Sequence, residues 1–91
     1  MASFITRVEL QNASAEDYER LHSEMESRGF KRTISGKNGT SYKLPTATYS
    51  LSFIGTASQV SDQARNAANA TGRKNWIITT EGPSSWYLPE V

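Results

Sequence analysis

The hydrophobic pattern of this chain switches between a period of two and a period near 3.6, and the order of the switches limits the fold more than any other feature. In SFITRVELQ, Phe4, Thr6, Val8 and Leu10 alternate with Ile5, Arg7, Glu9 and Gln11, as in a strand with one buried face. At Ser14 the period lengthens. Ser14 is an N-cap with Asp17 three residues on, and Glu16, Asp17 and Glu19 place negative charge by the positive end of the helix dipole. Tyr18, Leu21 and Met25 recur at helical spacing until Gly29 offers a left-handed stop. A second strand is expected over residues 30–35, with Phe30 and Ile34 turned to the core. GKNG at 36–39 is a turn of residues that tolerate positive φ, and a short return strand follows at 42–44. Pro45 keeps that return away from a central place in any sheet.

The third main strand is expected over residues 47–55, where Tyr49, Leu51 and Phe53 alternate with Ser50, Ser52 and Ile54. Thr56 and Gln59 form a capping box, and Val60, Ala64, Ala67 and Ala68 make a stripe of small residues that brings a second helix close to its sheet. Residues 75–81, with Trp76, Ile78 and Thr80 opposing Ile77 and Thr79, are the last strand. Beyond Gly82 and Pro83, Trp86, Tyr87 and Leu88 need apolar cover. The order β-α-β-β-α-β over residues 1–91 is that of an α+β, ferredoxin-like sandwich in one domain. Its expected form is a four-stranded antiparallel sheet with two helices on one face and an extra hairpin at about 36–46. The other face of the sheet is then free for a partner.

Composition narrows the chemistry. There is no cysteine, which removes disulfide frameworks, Cys-ligated zinc and thiol nucleophiles. The start MASFITRVEL lacks a basic region followed by a long apolar run, and no stretch has the apolar length of a membrane span; a soluble, cytoplasmic protein without membrane insertion is expected. Cofactor fingerprints, P-loops and nucleophile elbows are lacking, and no metal-ligand spacing surrounds His22, the one histidine. Charge is unevenly spread. Residues 1–26 hold six acids and two bases, whereas residues 27–61 hold five bases and no acid. Such asymmetry fits an anionic partner, or a basic strand packed on an acidic helix.

The five bases are Arg28, Lys31, Arg32, Lys37 and Lys43, interleaved with Phe30, Tyr42 and Tyr49. Cations for phosphates and rings for bases are what recognition of single-stranded RNA requires. Two segments, LHSEMESRGFKRTI and YKLPTATYSLSFIGTASQVSDQAR, are similar to the bacterial GhoS-like antitoxin family, with the likeness running over roughly residues 8–66. The resemblance implies a ferredoxin-like endoribonuclease that cleaves the messenger RNA of a small membrane-lytic toxin. It sets His22 and Arg20 at basic positions of the family's first helix and Glu9 at the acid ending its first strand. Histidine here stands for arginine and glutamate for aspartate. On this resemblance His22 moves a proton, Arg20 stabilises charge at phosphorus, and Arg28, Lys31 and Arg32 hold phosphates without a metal. The rival expectation is a noncatalytic module that forms a homodimer, or takes a protein or ligand, on its open sheet face.

Overall fold

A computed structural model describes all of residues 1–91. Its elements are β1 (Ala2–Leu10), α1 (Ala15–Ser27), β2 (Thr33–Ser35), β3 (Ser41–Lys43), β4 (Thr48–Phe53), α2 (Ala57–Asn69) and β5 (Asn75–Glu81). The architecture is α+β, with two helices, a three-stranded antiparallel sheet in the order β4-β1-β5, and a separate β2-β3 hairpin. No helix is long and apolar enough to cross a membrane.

Both helices begin where local chemistry dictates. The Ser14 hydroxyl accepts from Asp17 N–H while the Asp17 carboxylate accepts from Ser14 N–H, and Thr56 and Gln59 repeat the exchange on α2. Gly29, at φ +89°, ends the turn after α1 in a conformation that costs other residues a clash. At Gly55 a Cβ would run into the Gln59 side chain and the Phe53 ring, so a larger residue there would have to displace the Gln59 amide that caps α2. Asp17 also ties α1 to the segment after α2, accepting from Arg73 Nε at 2.9 Å. Its pKa lies below the usual carboxylate value, chiefly because the Ser14 backbone N–H binds the ionised form.

Alternation along β1 sends Phe4, Thr6, Val8 and Leu10 to the helix side. There Phe4, Val8 and Leu10 join Leu21 and Met25 of α1, Tyr49 of β4, and Val60, Ala64, Ala67 and Ala68 of α2 in one buried cluster. The small alanine faces let α2 lie close over β1 and β5.

The expected four-stranded sheet is not formed. Lys31 pairs with Ser50 of β4 through two backbone hydrogen bonds of 2.9 and 2.8 Å, but the pairing stops after that single bridge. The chain bends at Arg32, whose carbonyl accepts from Leu44 N–H, and the Thr33 carbonyl is taken by the Ser50 hydroxyl at 2.6 Å. A side chain thus occupies the place where the ladder would continue, and β2 pairs with β3 instead. The bend also corrects the expected facing of the strand. Phe30 is in the core, while Ile34 leaves it for a groove beside the hairpin.

The tail returns to the same hairpin. Lys43 N–H donates to the Pro89 carbonyl, Tyr42 bridges Glu90, and Val91 N–H donates to the Ser41 carbonyl. Trp86 finds its apolar cover on Tyr42, ring centroids 5.7 Å apart, and Tyr87 is left fully exposed.

Candidate functional site

The residues expected to act together are divided by the sheet. His22 is on the buried side of α1, 5% exposed, with Nδ1 2.6 Å from the Tyr49 hydroxyl. Tyr49 has no exposed surface. No buried side-chain nitrogen or oxygen lacks a hydrogen-bond partner, and His22 Nε2 makes no hydrogen bond, so Nε2 is the edge that reaches solvent. Burial holds the imidazole pKa below its ordinary value, and the Arg32 charge adds to that, against Glu19 and Glu26. Burial likewise pushes the Tyr49 hydroxyl well above the usual tyrosine range. At neutral pH the pair is a neutral hydrogen bond that ties α1 to β4.

This pair makes stability pH-dependent with a definite sign. The unfolded chain takes up the His22 proton at about pH 6.5, the folded chain only at lower pH, so acidification favours unfolding. The contribution is complete above about pH 6.5 and is lost as pH falls toward the folded pKa, with a slope of at most about 1.4 kcal/mol per pH unit from this site. Urea unfolding measured across that window should show this slope, and His22→Gln should flatten it. An unchanged slope in the variant would assign the dependence to other groups.

The expected partners of His22 lie apart from it. Arg20 is on the exposed face of α1. Glu9 belongs to the odd residues of β1, which point away from the helices, so the sheet separates it from His22. Nowhere do three or more His, Asp or Glu side chains gather as a metal site.

The basic segment is divided as well. Arg28 turns back to the acidic helix, its Nη1 donating to the Glu24 carbonyl and to Glu24 Oε1, each at 2.9 Å. Arg32 is on the helix side, close enough for its charge to act on His22 and Tyr49. Lys37, at the hairpin tip, and Lys43, on β3, are exposed. Lys31 alone lines a groove of about 550 Å³ between the open sheet face, the hairpin and the tail. Its walls carry Ser3, Ser50 and Ser52 from the sheet and Trp86 from the tail, and they contain no carboxylate.

The rest of the open face carries a site that the basic run did not indicate. Trp76, on β5, is 52% exposed and stands opposite Glu9, while Ile78 is 66% exposed and stands opposite Arg7. Lys74 Nζ lies 5.2 Å from the centroid of the Trp76 ring, within cation–π range. Arg7, Trp76 and Ile78 border a second cavity of about 380 Å³. The strand alternation at 75–81 already set Trp76 and Ile78 on one face. Matching it to the odd residues of β1 would have identified the pair as exposed.

Chemically, the face offers one aromatic platform with cations and the Glu9 carboxylate beside it, and an acid-free, hydroxyl-lined groove with Lys31 at the other end. That suits a ligand with flat rings and spaced negative charges. No known protein family matches the sequence, and no characterised protein compared with it gives a significant match.

Proposed function

We propose that the open sheet face binds single-stranded RNA, in a GhoS-like domain of ferredoxin-like arrangement. The observation that carries the reading is Trp76, half-exposed on that face with Lys74 over its ring and Arg7 nearby on β1. An aromatic ring flanked by cations stacks any base, because every base has a π-face. The acid-free groove at Lys31 then takes phosphates, since Glu9 repels them from the Trp76 end. The ferredoxin-like assignment draws support from the element order and from the Lys31–Ser50 bridge, which sets the start of the hairpin beside β4. The family assignment rests on the two similar segments.

The proposal is for binding rather than cleavage. A proton shuttle at His22 would stand on the other side of the sheet from Glu9 and from the RNA.

Fluorescence anisotropy with short labelled oligoadenosine at low ionic strength tests this. Binding should weaken with salt, and Lys31→Ala should lower the slope of log K against log[salt] by about one phosphate contact. Trp76→Ala should weaken binding by about ten- to a hundredfold, the worth of one stacked base. Arg28→Ala, whose guanidinium is held by Glu24, should leave binding unchanged. No binding at low salt would end the proposal and favour a noncatalytic module for another ligand.

A further inference from the structure

We infer that two copies of this chain pair edge to edge through β5, extending the three-stranded sheet into a continuous six-stranded one. The inference comes from the hydrogen-bond inventory of strand edges and is independent of what binds the open face. Gln11 N–H donates to the Lys74 carbonyl, and Gly82 N–H donates to the Ser3 carbonyl. These two bonds fix the phase of the ladder: the backbone groups of Trp76, Ile78 and Thr80 point at β1, and those of Asn75, Ile77, Thr79 and Glu81 point outward. The Asn75 carbonyl is taken by Arg65 Nη1 at 3.0 Å. Ile77, Thr79 and Glu81 have no strand beside them, since β5 ends the sheet.

The outer edges of β4 and β3 are each engaged over part of their length. The outer edge of β4 is met at Ser50 by Lys31, and the outer edge of β3 is met by the tail at Pro89–Val91. β5 also lacks the usual defences of a bare edge: NWIITT has no charge, proline or glycine. Its residues are of the β-branched and aromatic kinds that favour pairing.

An antiparallel pair of identical strands must place its two-fold axis at one residue of β5. With the axis at Ile78, Ile77 of each copy exchanges both backbone hydrogen bonds with Thr79 of the other. Trp76 faces Thr80 of the other copy, and the two Ile78 side chains meet on the open face. This register keeps the two Glu81 carboxylates at opposite ends of the interface and covers Ile78, the most exposed apolar side chain of β5. Shifting the axis to Thr79 would set Glu81 against Ile77 of the other copy.

Three measurements on the full chain test the inference. Sedimentation velocity over a concentration series should show the mass rising to that of a dimer. Ile78→Lys, which sets like charges directly opposite, should raise the dissociation constant by about tenfold or more while the far-UV circular dichroism stays that of the wild type. Because the chain has no cysteine, single-cysteine variants report the register. Ile78→Cys places two thiols on a non-hydrogen-bonded pair with Cα atoms about 4.5 Å apart, within disulfide reach, and should cross-link under mild oxidation. Thr80→Cys places them about 14 Å apart along the strands and should not. A wild-type chain that remains monomeric up to about 1 mM, or a Thr80→Cys variant that cross-links as readily as Ile78→Cys, would overturn it.

Discussion

Tyr49→Ala should cost about 3–5 kcal/mol of folding stability, the range for removing a fully buried aromatic ring. Against the roughly 5–15 kcal/mol that holds a typical domain together, this leaves little. The ring is at the meeting point of α1, β4 and the segment after α1. It packs edge-on to Phe30 with centroids 6.4 Å apart, and its hydroxyl holds His22. Tyr49→Phe separates the two contributions, because it keeps the ring and strips the hydroxyl from a nearly buried imidazole nitrogen. That should cost about 1–3 kcal/mol, the penalty of an unpaired buried polar group. Urea unfolding of the two variants reads both numbers. If Tyr49→Phe stays within about 0.5 kcal/mol of the wild type, the hydrogen bond contributes nothing to the α1–β4 contact.

The second large effect is expected at the alanine face of α2. Ala64 and Ala67 have no exposed surface and lie against β1 and β5. Ala64→Leu together with Ala67→Leu enlarges two fully buried side chains and is expected to lift the helix or bend the sheet. Each overpacked site costs about 1–3 kcal/mol, so the pair should lose about 2–6 kcal/mol, adjusted by their coupling as neighbours. In a domain of this size each kcal/mol lowers the melting temperature by about 4–8 °C. Gln63→Leu, on the exposed side of the same helix, should move stability by no more than about 0.5 kcal/mol. Equal melting temperatures for the double variant and Gln63→Leu would mean that α2 does not pack through its alanines.

These positions also show where sequence is informative about this fold. The periods of β1, α1, α2 and β5, the Ser14 N-cap, the Thr56–Gln59 capping box and the alanine stripe were legible because each is set by neighbours a few residues away. The strand expected at 30–35 forms only over Thr33–Ser35 and does not join the main sheet, for a nonlocal reason. Nothing near Arg32 announces that the Ser50 hydroxyl, 17 positions beyond Thr33, will take the Thr33 carbonyl and turn the chain toward β3. The same limit applies to the site. A run of five bases without an acid reads as one patch along the chain, yet in space Arg28 is held by Glu24, Arg32 faces the helix side and Lys31 alone enters the open-face groove. His22 stood out by being the only histidine, but its Tyr49 partner belongs to a strand 27 positions away. Along the chain Trp76 is one residue of a strand. Its value comes from Lys74 and the cross-strand neighbours that the sheet register supplies.

The most direct test of the open face as the RNA-binding surface is a backbone amide map by nuclear magnetic resonance during titration with single-stranded oligoadenosine at low ionic strength. The largest shifts should fall on Arg7 and Glu9 of β1, on Trp76 and Ile78 of β5, and on Lys31, with the Trp76 indole signal moving among the first. Shifts confined to Arg20, His22 and their neighbours on α1, or no shifts at all, would contradict it.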